Sequence, residues 1–117
     1  MSNPSKQKGT AWENDVAKHL RANGYPEVFR LAPAGEHDAG DLGGISEVAF
    51  ECRNRQRQEL AKHVDDANSR ARNKGARWGV AIMKRPRRPV SDAYVLLDMA
   101  TFLDLLAEVV PPRKARA

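Results

Sequence analysis

The run Arg-Trp-Gly-Val-Ala-Ile-Met at residues 77–83 constrains the fold most. It reads as a strong buried strand, and it stops at "KRPRRP" (84–89), whose two prolines lack the donors that a sheet ladder needs. That segment must be an exposed loop. Aromatic residues make up only 6% of a chain that is 41% hydrophobic, so Ala, Val and Leu must do much of the packing. A length of 117 residues suits one domain, and a compact α/β fold is favoured over a large all-β one.

The other elements follow from periodicity and punctuation. Trp12, Val16 and Leu20 share a helical stripe, Thr10 and Glu13 have capping-box spacing, and Asn23-Gly24 supplies a stop, which predicts a helix over 10–23. "EVFRL" (27–31) has strand composition. "APAGEHDAGD" (32–41) reads as a loop leading into a short strand near Asp41. After the Gly43-Gly44 turn signal, "SEVAFECR" alternates, with Val48, Phe50 and Cys52 on one face and Glu47, Ala49, Glu51 and Arg53 on the other.

A second helix is expected from Arg57 to about Lys74, with a narrow inner stripe of Leu60, Val64, Ala67 and Ala71 and a stop at Gly75. "AYVLL" (93–97) reads as the last strand and "MATFLDLLAEV" (99–109) as a short apolar helix. The expected order is α-β-β-β-α-β-β-α in a single domain, with mobile basic tails at about 1–8 and 111–117. The polar start "MSNPSKQKG" does not resemble a signal peptide, and no apolar run approaches the ~20 residues that span a bilayer. A cytoplasmic protein without membrane association is expected. The single cysteine, Cys52, excludes an internal disulfide and reads as a small buried hydrophobe.

The net charge of +5 is unevenly spread. Residues 1–52 hold 5 Lys/Arg against 8 Asp/Glu, whereas residues 53–88 hold 12 against 3. A local excess of this size suits a surface facing a polyanion, while a solvated helix face normally mixes both signs.

Three acids are awkward as ordinary surface residues. Glu13 borders the apolar stripe of the first helix, Asp41 stands before the Gly-Gly turn, and Glu51 lies within an otherwise apolar strand. Carboxylates are rarely buried unpartnered, and Mg²⁺ takes one or two of them together with water and phosphate oxygens. Asp41 and Glu51 share a sheet face only if paired residue numbers across the hairpin sum to an even number, as with a three- or five-residue loop. Alone, this acid pattern is a weak signal.

In this order the residues resemble the PD-(D/E)xK nuclease superfamily, and within it the archaeal-type Holliday junction resolvases. The resemblance covers roughly residues 8–100: Lys8-Gly9-Thr10 and Glu13 in the first helix, Asn23-Gly24-Tyr25 at its end, Arg30, Ala34-Gly35, Gly40-Asp41 and Glu51-Cys52-Arg53. It implies a restriction-endonuclease-like core, with a mixed central β-sheet flanked by helices. It also implies a homodimeric, Mg²⁺-dependent endonuclease (Mn²⁺ being an alternative) that cuts branched DNA such as a four-way junction. Glu13, Asp41 and Glu51 would bind metal, with the Cys52 carbonyl a further ligand.

Gly40 stands where the motif usually has Pro, Ala34 where its loop has Ser, and Arg53 where it has Lys. Arginine stays protonated and cannot act as a general base, but it can hold a scissile phosphate and stabilise its developing charge. DNA contacts are expected from Lys8, Arg30, Arg55, Arg57 and Arg70, and from Lys84, Arg85, Arg87 and Arg88 in the proline loop.

Each assignment has a plainer counterpart. Glu51 and Arg53 also suit an ion pair on a half-exposed strand, Asp41 a turn, Glu13 a capping acid, Arg30 a structural pair and the proline loop solubility. His37 and Asp38 suit either a solvated loop pair or an aid to a metal or water. Trp12 and Trp78 read as core, and His19 and His63 as surface. The rival functions are a non-catalytic nucleic-acid-binding protein on the same fold, a nuclease of flaps or linear duplex, and an interaction protein with no nucleic-acid role.

Overall fold

The computed structural model describes residues 4–113; the outermost parts of both expected tails, 1–3 and 114–117, lie outside the described residues. The chain is α/β, with one five-stranded mixed sheet flanked by helices. Helix α1 (Pro4–Ala22) leads to β1 (Phe29–Arg30), β2 (Leu42–Gly43) and β3 (Val48–Arg53), followed by α2 (Leu60–Lys74), β4 (Trp78–Met83), β5 (Tyr94–Leu96) and α3 (Met99–Val109). The sheet order is β1-β2-β3-β4-β5; only β3 and β4 are parallel, joined through α2.

Helix α1 starts six residues before the expected boundary. Pro4 opens it, as proline's fixed φ and missing donor allow at a first helical position. Thr10 and Glu13 therefore lie inside the helix, and the capping-box reading is wrong. Residues 4–8 are helical rather than part of a loose tail. Their side chains are exposed where described, so no apolar stripe announced this part of the helix.

Trp12, Val16 and Ala17 of α1 pack with Val28, Leu42, Phe50, Cys52, Val80 and Ile82 to form the core. The indole of Trp12 donates to the carbonyl of Ile82 at 3.1 Å, which satisfies its polar edge. Helix α2 packs against β3 and β4, with His63, Ala67 and Ala71 buried. Its close approach requires Gly79, since a Cβ there would lie 2.3 Å from the Ala67 carbonyl oxygen.

This packing corrects three expectations. Residues 49–52 of β3 are all buried, so β3 is not a half-exposed strand. His63 is buried and Leu60 is exposed, because the inward row of α2 runs through 63, 67 and 71. Trp78 is only half-buried, with its indole donating to Asp104.

The hairpin register decides the parity condition. Leu42 pairs with Phe50, an even sum, and the Asp41 N–H donates to the Phe50 carbonyl at 2.7 Å. Asp41 stands just before β2, held against β3 by this bond and by the Cys52 N–H, which its side chain accepts at 2.7 Å. Gly40 makes the approach possible: its φ is 105°, and a Cβ there would meet the Phe50 carbonyl oxygen at 2.7 Å.

Candidate active site

Glu51 is 2% exposed, in the middle of a strand covered on both faces. A carboxylate in this position needs compensation. It comes from Arg53, two residues along the same face, whose Nη2 lies 2.5 Å from Glu51 Oε2 and 3.2 Å from Asp66 Oδ2. Its Nη1 donates to the Cys52 carbonyl at 3.2 Å and lies 3.5 Å from Asp41 Oδ2. The same Asp41 oxygen accepts the Cys52 N–H at 2.7 Å. One guanidinium thus bridges three carboxylates.

Arg70 approaches from α2. Its Nε lies 3.3 Å from Glu51 Oε1 and 3.6 Å from Asp38 Oδ2, close enough for charge attraction but misaligned for a hydrogen bond with Glu51. Among the described residues, the buried side-chain atoms without a hydrogen-bond partner are Glu51 Oε1, Arg70 Nε and His63 Nδ1. Two meet at Glu51, and the third belongs to a histidine that feels the Arg53 charge. Unsatisfied buried polar atoms are costly, and their concentration here marks a site shaped for something other than stability.

Titration behaviour agrees. Burial and then the neighbouring Glu51 charge push Asp41 from the ordinary 3.8 up to about 7. Burial also raises Glu51, opposed by Arg53 and Arg70. Burial disfavours the Arg53 charge, but Glu51 and Asp41 outweigh it and raise its pKa. Burial raises the Cys52 thiol well above its usual range, which fits the inert core role expected for it.

A stability prediction follows from Asp41. A carboxyl whose folded pKa is raised contributes stability fully below its unfolded value and loses that contribution as pH rises through the folded value. The loss should fall between about pH 4 and 7. Asp41→Asn is expected to stabilise the metal-free protein at pH 8 by on the order of 2–4 kcal/mol. The gain should disappear near pH 4, as urea unfolding at the two pH values will show.

The surrounding loop is held by α2. Asn73 Nδ2 donates to the carbonyls of Glu36 and Asp38 at 3.0 and 2.8 Å, and Lys74 Nζ donates to those of Ile45 and Val48 at 2.8 and 2.7 Å. Asp38 caps the turn by accepting the Gly40 N–H at 2.8 Å. These contacts fix where Asp41 stands. His37 is exposed on this loop, within 3.7 Å of Glu36 rather than of the carboxylate cluster.

No family model, curated protein or solved structure matches the chain.

A groove of about 510 Å³ lies beside the carboxylates, lined by residues including Lys8, Thr10, Glu13, Arg30, Cys52, Arg53 and Arg55. Asp41 and Glu51 stand behind Arg53 and do not line it. A second groove of about 400 Å³ shares Arg53, Arg55 and Gln56 and adds Arg57, Glu59, Lys62 and His63. Arg55 and Arg57 form no ion pair among the described residues, which leaves both guanidinium groups available to a ligand.

The expected residues separate into groups. Asp41, Glu51, Cys52 and Arg53 converge. Glu13 lines the groove, held by Arg30 at 2.7 Å, and its charge still reaches Asp41. Arg70 is turned inward to Glu51 rather than lining either groove. In the proline loop, Lys84 lies over the Trp12 ring, Arg85 over the Tyr94 ring and Arg88 beside Asp92, and none of them lines either of these two grooves.

Asp66, Asn73 and Lys74 escaped the sequence reading. The Lys62/Asp66 spacing of four was the one available signal for Asp66, and it indicates only a helix-face pair.

Among the described residues, no three or more His, Cys, Asp or Glu side chains form a group suited to a metal ion. Two of the described residues fit a hard cation, Asp41 and Glu51, which share the Arg53 guanidinium, and Glu51 has a buried oxygen lacking a hydrogen bond. A two-carboxylate set is what Mg²⁺ accepts when water and phosphate oxygens complete its shell. Glu13 would join only by leaving Arg30.

Proposed function

We propose that the chain is a metal-dependent endonuclease that hydrolyses phosphodiester bonds in branched DNA, with a four-way junction as its leading substrate. The observation that carries this reading is the pair Asp41 and Glu51, bridged by the Arg53 that lines a basic groove, with Glu51 buried and its Oε1 lacking a hydrogen-bond donor. A fixed structural ion pair would have its polar atoms satisfied. The resemblance described above points the same way.

In this reading Asp41 and Glu51 hold Mg²⁺ or Mn²⁺, which when bound would polarise the attacking water and offset charge on the phosphate. Arg53 faces both the carboxylates and the groove, and its permanently charged guanidinium donates to the phosphate oxygens. It takes no proton from water. Lys8, Arg55 and Arg57 align the DNA backbone along the two grooves. A four-way junction is close to two-fold symmetric, so a homodimer would set two sites on opposing strands.

The test is incubation of a synthetic four-way junction and a matched linear duplex with the protein, with and without Mg²⁺. Junction products that require the ion support the reading. Equal cutting of the duplex would assign a less selective nuclease.

One observation favours a second reading. Arg53 already bridges the carboxylates that a metal would need, which suits a nucleic-acid-binding protein without catalysis. That protein would bind the junction and yield no product at any Mg²⁺ or Mn²⁺ concentration.

Both readings share a prediction. Replacing Arg55 and Arg57 by Gln is expected to weaken junction binding and to make its log–log salt dependence shallower by about 2. Anisotropy titrations between low and moderate salt will measure it. An unchanged slope would take the second groove out of the DNA path.

A further inference from the structure

Helix α2 begins without a carboxylate cap. Glu59 stands at its N-cap position and makes no side-chain hydrogen bond to the first turn. A histidine is turned to that end instead. His63 is 3% exposed; its backbone N–H donates to the Glu59 carbonyl at 3.0 Å, and its ring Nε2 accepts the Glu59 N–H at 3.4 Å. A ring nitrogen that accepts carries no proton, so the proton is on Nδ1, which makes that atom a donor.

This donor is buried and has no partner. Leaving it so costs stability, and the packing of α2 does not call for it, since Ala67 and Ala71 fill the rest of the same inward row. The ring belongs to the wall of the second groove, whose volume of about 400 Å³ lies within the range of small-ligand clefts. Four cations stand in that wall against one acid, Glu59. Arg53 and Lys62 are paired with Asp66, whereas Arg55 and Arg57 pair with no acid among the described residues.

We infer that this groove is a binding site for a phosphate monoester, held by the His63 Nδ1–H, the N-terminus of α2 and the guanidinium groups of Arg55 and Arg57. A helix N-terminus offers N–H groups and a partial positive charge to an anion. The ester class follows from donors and charge. A backbone phosphodiester presents two terminal oxygens and one charge, whereas a monoester presents three and close to two. A ring N–H, two forked guanidinium groups and a helix end supply donors for the third oxygen and charge for the second.

The site stands on its own groove and does not rest on the nuclease reading. On that reading, hydrolysis breaks one P–O ester bond with water and leaves a hydroxyl and a monoester. A groove that shares Arg53 with the first would then hold a product end.

The test is calorimetric titration of the full chain, without divalent metal, with adenosine 5′-monophosphate and with its 3′,5′-cyclic diester. The monoester is expected to bind about tenfold more tightly, the size of one charge-assisted hydrogen bond. His63→Gln keeps an acceptor for the Glu59 N–H and places no donor at the Nδ1 position, so it should lose the preference. His63→Asn, whose amide NH₂ falls where Nδ1 stands, should keep it. Equal binding of the two nucleotides by wild type overturns the inference, as does a preference that survives His63→Gln in a protein of unchanged circular dichroism.

Oligonucleotides ending in a 5′-phosphate, a 3′-phosphate or hydroxyls alone then assign the source. Displacement of the nucleotide by one phosphorylated strand places a strand end in the groove, and displacement by neither assigns a free nucleotide; the monoester site stands in both cases. Should neither variant fold, nitrogen NMR spectra of wild type decide. The monoester is expected to shift the His63 ring nitrogens and the amides of Leu60 and Ala61, and unmoved resonances would overturn the proposal. Failure of junction cleavage leaves these readouts untouched.

Discussion

Glu51→Gln is expected to abolish Mg²⁺-dependent cleavage of a four-way junction, by roughly 10³-fold or more, while leaving the fold intact. Glutamine keeps the shape of the side chain and can still accept from Arg53 through its amide oxygen. It removes a charge that burial already disfavours, so thermal stability should be equal or slightly higher. Loss of cleavage together with loss of stability would indicate misfolding and would say nothing of catalysis. Cleavage that persists unchanged in a folded Glu51→Gln protein would remove Glu51 from the site. Junction affinity measured without divalent metal should change little, since Glu51 does not line the groove.

Much of this site was legible because sheet geometry is periodic. Alternation along β3 put Glu51 and Arg53 on one face, and a parity rule stated the condition for Asp41 to join them. The register itself depends on long-range fit: Gly40 passes the Phe50 carbonyl at a distance that no side chain would tolerate. Strand β4 and helix α3 were legible because prolines and helical periodicity bound them. The first turns of α1 were not, since no apolar stripe extends into them.

Burial was the hardest property to read. Two-sided cover of β3 requires knowing that α1 and α2 lie on opposite faces, and His63 is inward because of how α2 is turned on the sheet. The partners of Arg53 are likewise a tertiary fact. Asp66 is 13 residues away along the chain, and a spacing of that size has no meaning until α2 is docked. The outward stripe of α3 was visible as apolar composition. Its orientation came only with Arg77, which holds the acids of α3 from the adjoining start of β4.

Arg53→Ala is expected to cost about 3–5 kcal/mol of stability at neutral pH, the range for breaking a buried ion pair and leaving its partner unpaired. That is a large share of the ~5–15 kcal/mol that keeps a domain folded. The cause is electrostatic. Without the guanidinium, the cation left beside Glu51 among the described residues is the misaligned Arg70, and Asp41 keeps the Cys52 N–H. Protonating these carboxyls relieves the strain, so the cost should shrink toward pH 4, where urea unfolding of wild type and variant should nearly converge. A cost equal at pH 4 and pH 8 would mean that Arg53 acts through packing alone. Arg53→Lys, the residue usual in the motif, keeps one charge but cannot reach Glu51, Asp66, Asp41 and the Cys52 carbonyl together as the planar guanidinium does. It is expected to fall between wild type and Arg53→Ala in stability. Its cleavage rate then separates two roles for position 53: a rate that rises despite the lost stability would show that the bridging arginine restrains the carboxylates, and a rate that falls would show that it serves the phosphate.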